Sequence, residues 1–81
     1  MVQERLEYNI LLHDTKNAVR FVNDMNTLDG DFDIHMGNYL FDAKSLLGVL
    51  SMDPRRIMKL VVSLKKSTKE QLDCALQPYI A

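Results

Sequence analysis

The chain has 81 residues, 47% of them hydrophobic and 26% charged, with a formal net charge of −1. That length accommodates one domain, residues 1–81, and the composition is that of a globular rather than a disordered chain. No basic stripe is available to neutralise phosphates and no apolar run nears the roughly 20 residues of a spanning helix, so neither nucleic acid nor membrane is expected as a direct partner.

Residues 4–12 alternate, with Leu6, Tyr8 and Ile10 on one side and Glu7 and Asn9 on the other, the period of a strand with one buried face. The run Leu11-Leu12-His13-Asp14 breaks the alternation and leads into a helix. There Ala18, Phe21, Val22 and Met25 fall at i, i+3, i+4 and i+7, which is one apolar face, with Arg20, Asn23 and Asp24 opposite. The helix closes near Asn26, and Leu28-Asp29-Gly30-Asp31 is turn chemistry.

Phe32, Ile34 and Met36 alternate with Asp33 and His35 as a second strand. Gly37-Asn38 follows as a two-residue hairpin loop, glycine taking φ > 0 at its first position. His35, with Asp31 and Asp33, reads as an exposed polar face rather than a metal ligand. A short third strand, residues 39–43, feeds the stretch 41–52, where Asp42 and Ser45 can accept backbone N–H bonds and so start a helix that Pro54 stops. Leu46, Val49 and Leu50 share a side of that helix while Leu47 points away, so some leucine side chain is expected in solvent.

Residues 57–64 are rich in Ile, Leu and Val and read as a buried fourth strand. Ser67 with Glu70 and Thr68 with Gln71 make two overlapping capping boxes before a last helix. That helix carries Leu72, Ala75, Leu76 and Tyr79 on one face, with Pro78 limiting it. Met25, Met36, Met52 and Met58 read as core fillers and Cys74 as a half-buried core edge. One cysteine precludes an internal disulfide, and the start Met1-Val2-Gln3-Glu4-Arg5 lacks a signal-peptide pattern, so a cytoplasmic location is expected. The order β-α-β-β-α-β-α predicts an α+β two-layer domain: a four-stranded antiparallel sheet with three helices on one face, and Phe21, Val22, Ile34, Leu72 and Leu76 buried between the layers.

The stretch Ala43-Lys44-Ser45-Leu46-Leu47-Gly48-Val49-Leu50-Ser51 resembles the second-helix motif of HPr, the histidine-containing phosphocarrier family of the bacterial phosphotransferase system. The element order also matches that family's open-faced sandwich, so the likeness spans nearly the whole chain. In the family, the loop after the first strand reads Gly-Leu-His-Thr-Arg-Pro-Ala, with Phe-Val shortly after. Here Ala18-Val19-Arg20-Phe21-Val22 fits that ending. Counting back without a gap puts Asn17 at the proline, Lys16 at the arginine, Thr15 at the threonine and Asp14 at the phosphorylated histidine, with Leu12 at the glycine. His13 stands one residue too early.

The resemblance implies a phosphoryl carrier rather than an independent enzyme, with enzyme I and a sugar-specific enzyme II A as partners and no metal or cofactor. Asp14 departs from it, because an aspartate there is an anion at a helix start and suits an N-cap better than a phosphoryl acceptor. Lys16 keeps the arginine's charge but loses its fork geometry. His13 remains the alternative acceptor if the loop bulges by one residue. Ser45 matches the serine that a dedicated kinase phosphorylates in Gram-positive relatives to regulate carbon catabolite repression; its plainer role is a helix cap. Leu46, Leu47 and Leu50, with Lys44 beside them, match the surface that docks partners, a catabolite regulator or the serine kinase among them. The resemblance thus favours a regulatory or partner-docking paralogue with impaired histidine phosphotransfer, beside an active carrier using His13 and an interaction module outside sugar transport.

Overall fold

A computed structural model describes residues 5–81. Its elements are β1 (Arg5–Ile10), α1 (Thr15–Met25), β2 (Gly30–Met36), β3 (Tyr39–Asp42), α2 (Leu46–Leu50), β4 (Met58–Leu64) and α3 (Lys69–Leu76), closed by a 3₁₀ turn at Gln77–Tyr79. The four strands form one antiparallel sheet in the order β1-β4-β2-β3. The expected α+β architecture and element order are therefore those of the molecule. Residue 4, the expected start of the first strand, lies outside the described residues.

The period-2 pattern of each strand decides which side meets the helices. Register aligns Leu6 with Val62, Tyr8 with Leu60 and Ile10 with Met58, and on the other side of β4 aligns Phe32 with Val62 and Ile34 with Leu60. These side chains pack with Phe21, Val22 and Met25 of α1, Val49 of α2, and Leu72 and Leu76 of α3 in one core. All five residues expected between the layers are buried. The opposite sheet face carries Glu7, Asp31, Asp33, His35 and Lys59, with Lys59 Nζ 3.3 Å from Glu7 Oε1. At residue 30 a Cβ would meet the Ser63 carbonyl oxygen at 2.6 Å, so the strand pairing needs glycine there.

Several boundaries differ from the sequence reading. Ile57 is 63% exposed and precedes β4, because strand alternation would turn it to the same side as Lys59, away from the core. Of the two capping boxes only Thr68 with Gln71 forms. Ser67 instead uses its hydroxyl oxygen to accept from the Asp29 amide at 2.8 Å. Cys74 is exposed rather than half-buried, since Leu72 and Leu76 define the buried stripe and Cys74 falls between them. Tyr79 is buried as expected but belongs to the 3₁₀ turn, where Pro78 cannot continue the α-helical bonding.

Candidate functional site

Two segments carry the residues that the sequence singles out: the loop from β1 into α1, and α2 with its leading turn. In the first, Leu12 is 1% exposed and anchors the loop in the core, while His13 to Lys16 remain exposed. His13 adopts φ 73°, the left-handed region that a side chain with a Cβ disfavours. Its flanking residues close on each other, the Asp14 amide donating to the Leu12 carbonyl at 2.9 Å, which makes a γ-turn centred on His13. The His13 amide donates to the Pro54 carbonyl at 2.7 Å.

Asp14 caps α1. Its backbone is extended at φ −149° and ψ 173°, and its Oδ1 accepts from the Asn17 amide at 2.8 Å. One of the helix's orphan donors is thereby satisfied by the carboxylate standing where the resemblance puts the phosphorylated histidine. The His13 imidazole makes no hydrogen bond or ion pair among the described residues. Thr15 and Lys16 occupy the first turn of α1, exposed.

The Pro54 contact brings in two residues that no local pattern could have nominated. Arg55 and Arg56 follow Pro54 directly, so the backbone of the loop before β4 is tied to the His13 turn. Arg55 is turned back onto Asp53, with Nε 3.2 Å from Oδ1, and the Arg55 amide donates to the same oxygen at 3.0 Å. The Asp53 carboxyl is held below its usual range, first by that amide and then by the Arg55 side chain.

In the second segment Ser45 is the cap of α2. It stands extended at φ −96° and ψ 114°, and its Oγ accepts from the Gly48 amide at 3.3 Å. Asp42, the other expected cap, instead accepts from the Lys44 amide at 2.9 Å and shapes the turn before the helix. Val49 is the one buried residue of α2, at 2% exposure. Leu46, Leu47 and Leu50 are 41%, 84% and 40% exposed, an apolar patch beginning at Ser45. Lys44 is partly buried, its Nζ donating to the Leu28 carbonyl at 2.6 Å and sitting 4.9 Å from the centre of the Phe32 ring.

No family model, curated protein or solved structure matches the chain. Its candidate chemistry therefore rests on what these side chains present. One is an exposed imidazole on a left-handed turn. The others are a carboxylate committed to capping and a hydroxyl beside a patch of leucines that the core leaves uncovered. α1 is joined to the turn that leads into α2, since Asn26 at the end of α1 donates through Nδ2 to the Val22 carbonyl at 2.8 Å and to the Lys44 carbonyl at 3.0 Å. Among the described residues no helix is long and apolar enough to cross a membrane.

Proposed function

We propose that this chain is an HPr-like, partner-docking domain of the bacterial sugar phosphotransferase system, acting in the cytoplasm with histidine phosphotransfer impaired. The observation that carries the reading is the α2 patch, where Leu47 is 84% exposed between two leucines that are each about two-fifths exposed. Leucines left in solvent on so short a helix cost solubility without contributing to the core, and such a patch suits an interface. Supporting the second half of the reading, Asp14 caps α1 in the position that the resemblance gives to the phosphorylated histidine. Partners on this reading are enzyme I, enzyme II A or a catabolite regulator, with Ser45 the residue that a serine kinase would modify.

The test is a phosphoryl-transfer assay with phosphoenolpyruvate and enzyme I. Little or no acid-labile phosphate is expected on the chain. Stoichiometric phosphate abolished by His13→Ala would replace this reading with an active carrier, which the exposed imidazole on its left-handed turn favours. Binding to enzyme II A and to a catabolite regulator is then measured with Leu47→Ala. A loss of at least several-fold is expected, as for an anchor near an interface centre. Absence of binding to either would instead favour an interaction module outside sugar transport.

A further inference from the structure

The C-terminal end of α2 and the β2–β3 hairpin bound a cleft of about 440 Å³, within the size range of small-molecule sites. Its origin is the brevity of α2, whose five residues end before they cover the hairpin end of the sheet. Met36 pairs with Tyr39 across the two-residue loop, and Phe41 lies two residues on, so Tyr39 and Phe41 share a side of β3. Their rings stack at 6.0 Å and 27°. Tyr39 is nonetheless 69% exposed, because no helix lies over it. Met36 and Met52 line the same cleft with adaptable side chains.

One charge at the cleft is uncommitted. Asp53 holds Arg55 through its side chain and its amide. Arg56 makes no side-chain hydrogen bond or ion pair among the described residues and is only the weakest of the influences on Asp53. Ser51 and Asp53 also line the cleft, the Asp53 carboxylate being held by Arg55. Two aromatic rings beside a free planar guanidinium complement a flat apolar body bearing a carboxylate, which arginine engages with two parallel hydrogen bonds.

We propose that this cleft binds a small aromatic carboxylate, its ring against Tyr39 and Phe41 and its carboxylate on Arg56. The leucines of α2 do not line the cleft, so the proposal goes beyond the docking reading and stands or falls separately from it.

Phenylacetate and its uncharged counterpart phenylacetamide are titrated into the ¹⁵N-labelled chain while amide shifts are followed. Saturable shifts are expected at Met36, Tyr39, Phe41, Met52 and Arg56, with phenylacetate binding at about 1 mM, the range for a probe of this size. Arg56→Gln is expected to weaken phenylacetate about five-fold and leave phenylacetamide unchanged, while Tyr39→Ser weakens both. Both positions are exposed, so the variants fold. The proposal is overturned by shifts that stay linear to about 20 mM or centre on another surface. It is equally overturned if acid and amide bind alike, or if Arg56→Gln or Tyr39→Ser binds phenylacetate as well as the parent chain.

Discussion

The ammonium of Lys44 sits 4.9 Å from the centre of the Phe32 ring while it donates to the Leu28 carbonyl at 2.6 Å. The residue leading into α2 is thus anchored to the start of β2, and the turn that presents Ser45 and the leucines is fixed from beneath. Removing this contact should be felt in stability. A cation over a ring contributes about 0.5–1 kcal/mol when partly exposed, and a charged hydrogen bond somewhat more. Lys44→Ala is expected to lower the unfolding free energy by about 1–2 kcal/mol, read from the urea midpoint at constant slope. Lys44→Arg, which keeps the charge but not the compact head, should recover only part of it. An unchanged midpoint for Lys44→Ala would mean the contact contributes nothing.

Neighbouring apolar residues of α2 should separate stability from surface function. Val49 is 2% exposed and Leu47 84% exposed, although both are large aliphatic residues within one five-residue helix. Val49→Ala should cost about 2 kcal/mol through lost burial and a small cavity. Leu47→Ala should move stability by no more than about 0.5 kcal/mol. Thermal or urea unfolding of the two variants checks this, and comparable losses would show that the exposed leucine is packed after all.

The His13 turn carries a conformational cost that substitution can expose. At φ 73° a Cβ is disfavoured by about 1–2 kcal/mol, and β-branching worsens it. Glycine removes that penalty while adding about 0.5–1 kcal/mol of unfolded-state freedom. His13→Gly should therefore unfold at or slightly above the parent midpoint, and His13→Val about 1–2 kcal/mol below it. A valine variant as stable as the glycine variant would contradict the left-handed geometry.

A pH-dependent component of stability is expected at Tyr79. The ring meets Phe21 edge-on at 5.2 Å and 87°, and the hydroxyl donates to Asp24 Oδ2 at 2.6 Å. Burial first, then the hydrogen bond to that carboxylate, push the hydroxyl well above its ordinary value of 10.0. The folded chain therefore holds the proton more tightly than the unfolded chain does. That contribution is fully present below about pH 10 and is lost as pH rises above it. Tyr79→Phe should lower stability by about 1 kcal/mol at neutral pH and flatten the alkaline decline. The measurement is the difference between the two chains across pH 8–11, and a parallel decline in both would remove Tyr79 as its source.

The sheet was legible in the sequence because its strands obey one simple rule. Leu6, Tyr8 and Ile10 alternate, as do Phe32, Ile34 and Met36, and each set lies on the side the alternation assigns. Gly37 has φ 60° in the two-residue loop that its position implied. The exposure of Leu47 was legible too, since the 3.6-residue period sends it away from Val49, whereas Leu46 and Leu50, which that period sets beside Val49, are each about 40% exposed. Two of the misreadings share a cause. At Ile57 and Cys74 composition outvoted direction, and a residue's type says less about burial than the side on which its element places it. What no local pattern could contain is contact between distant segments: the His13 amide on the Pro54 carbonyl, Lys44 over Phe32, and the order that puts β1 beside β4.

That strand order also governs how the chain reaches its fold. The β2–β3 hairpin joins residues across a two-residue loop, and such hairpins close within microseconds. β1 has its partner in β4, where Ile10 faces Met58 and Arg5 faces Ser63, intervals of 48 and 58 residues. Beyond β1, Leu11 donates to the Tyr79 carbonyl at 2.7 Å and Ala81 donates to the Asn9 carbonyl at 2.9 Å, spanning still more of the chain. Contacts of such long range must be reached through large loops, whose closure entropy slows folding relative to a helical bundle of equal size. During synthesis from the N-terminus, β1 emerges first and stays unpaired until β4 has followed it out. The earliest of the four strands to be made is then the one that waits longest for its partner.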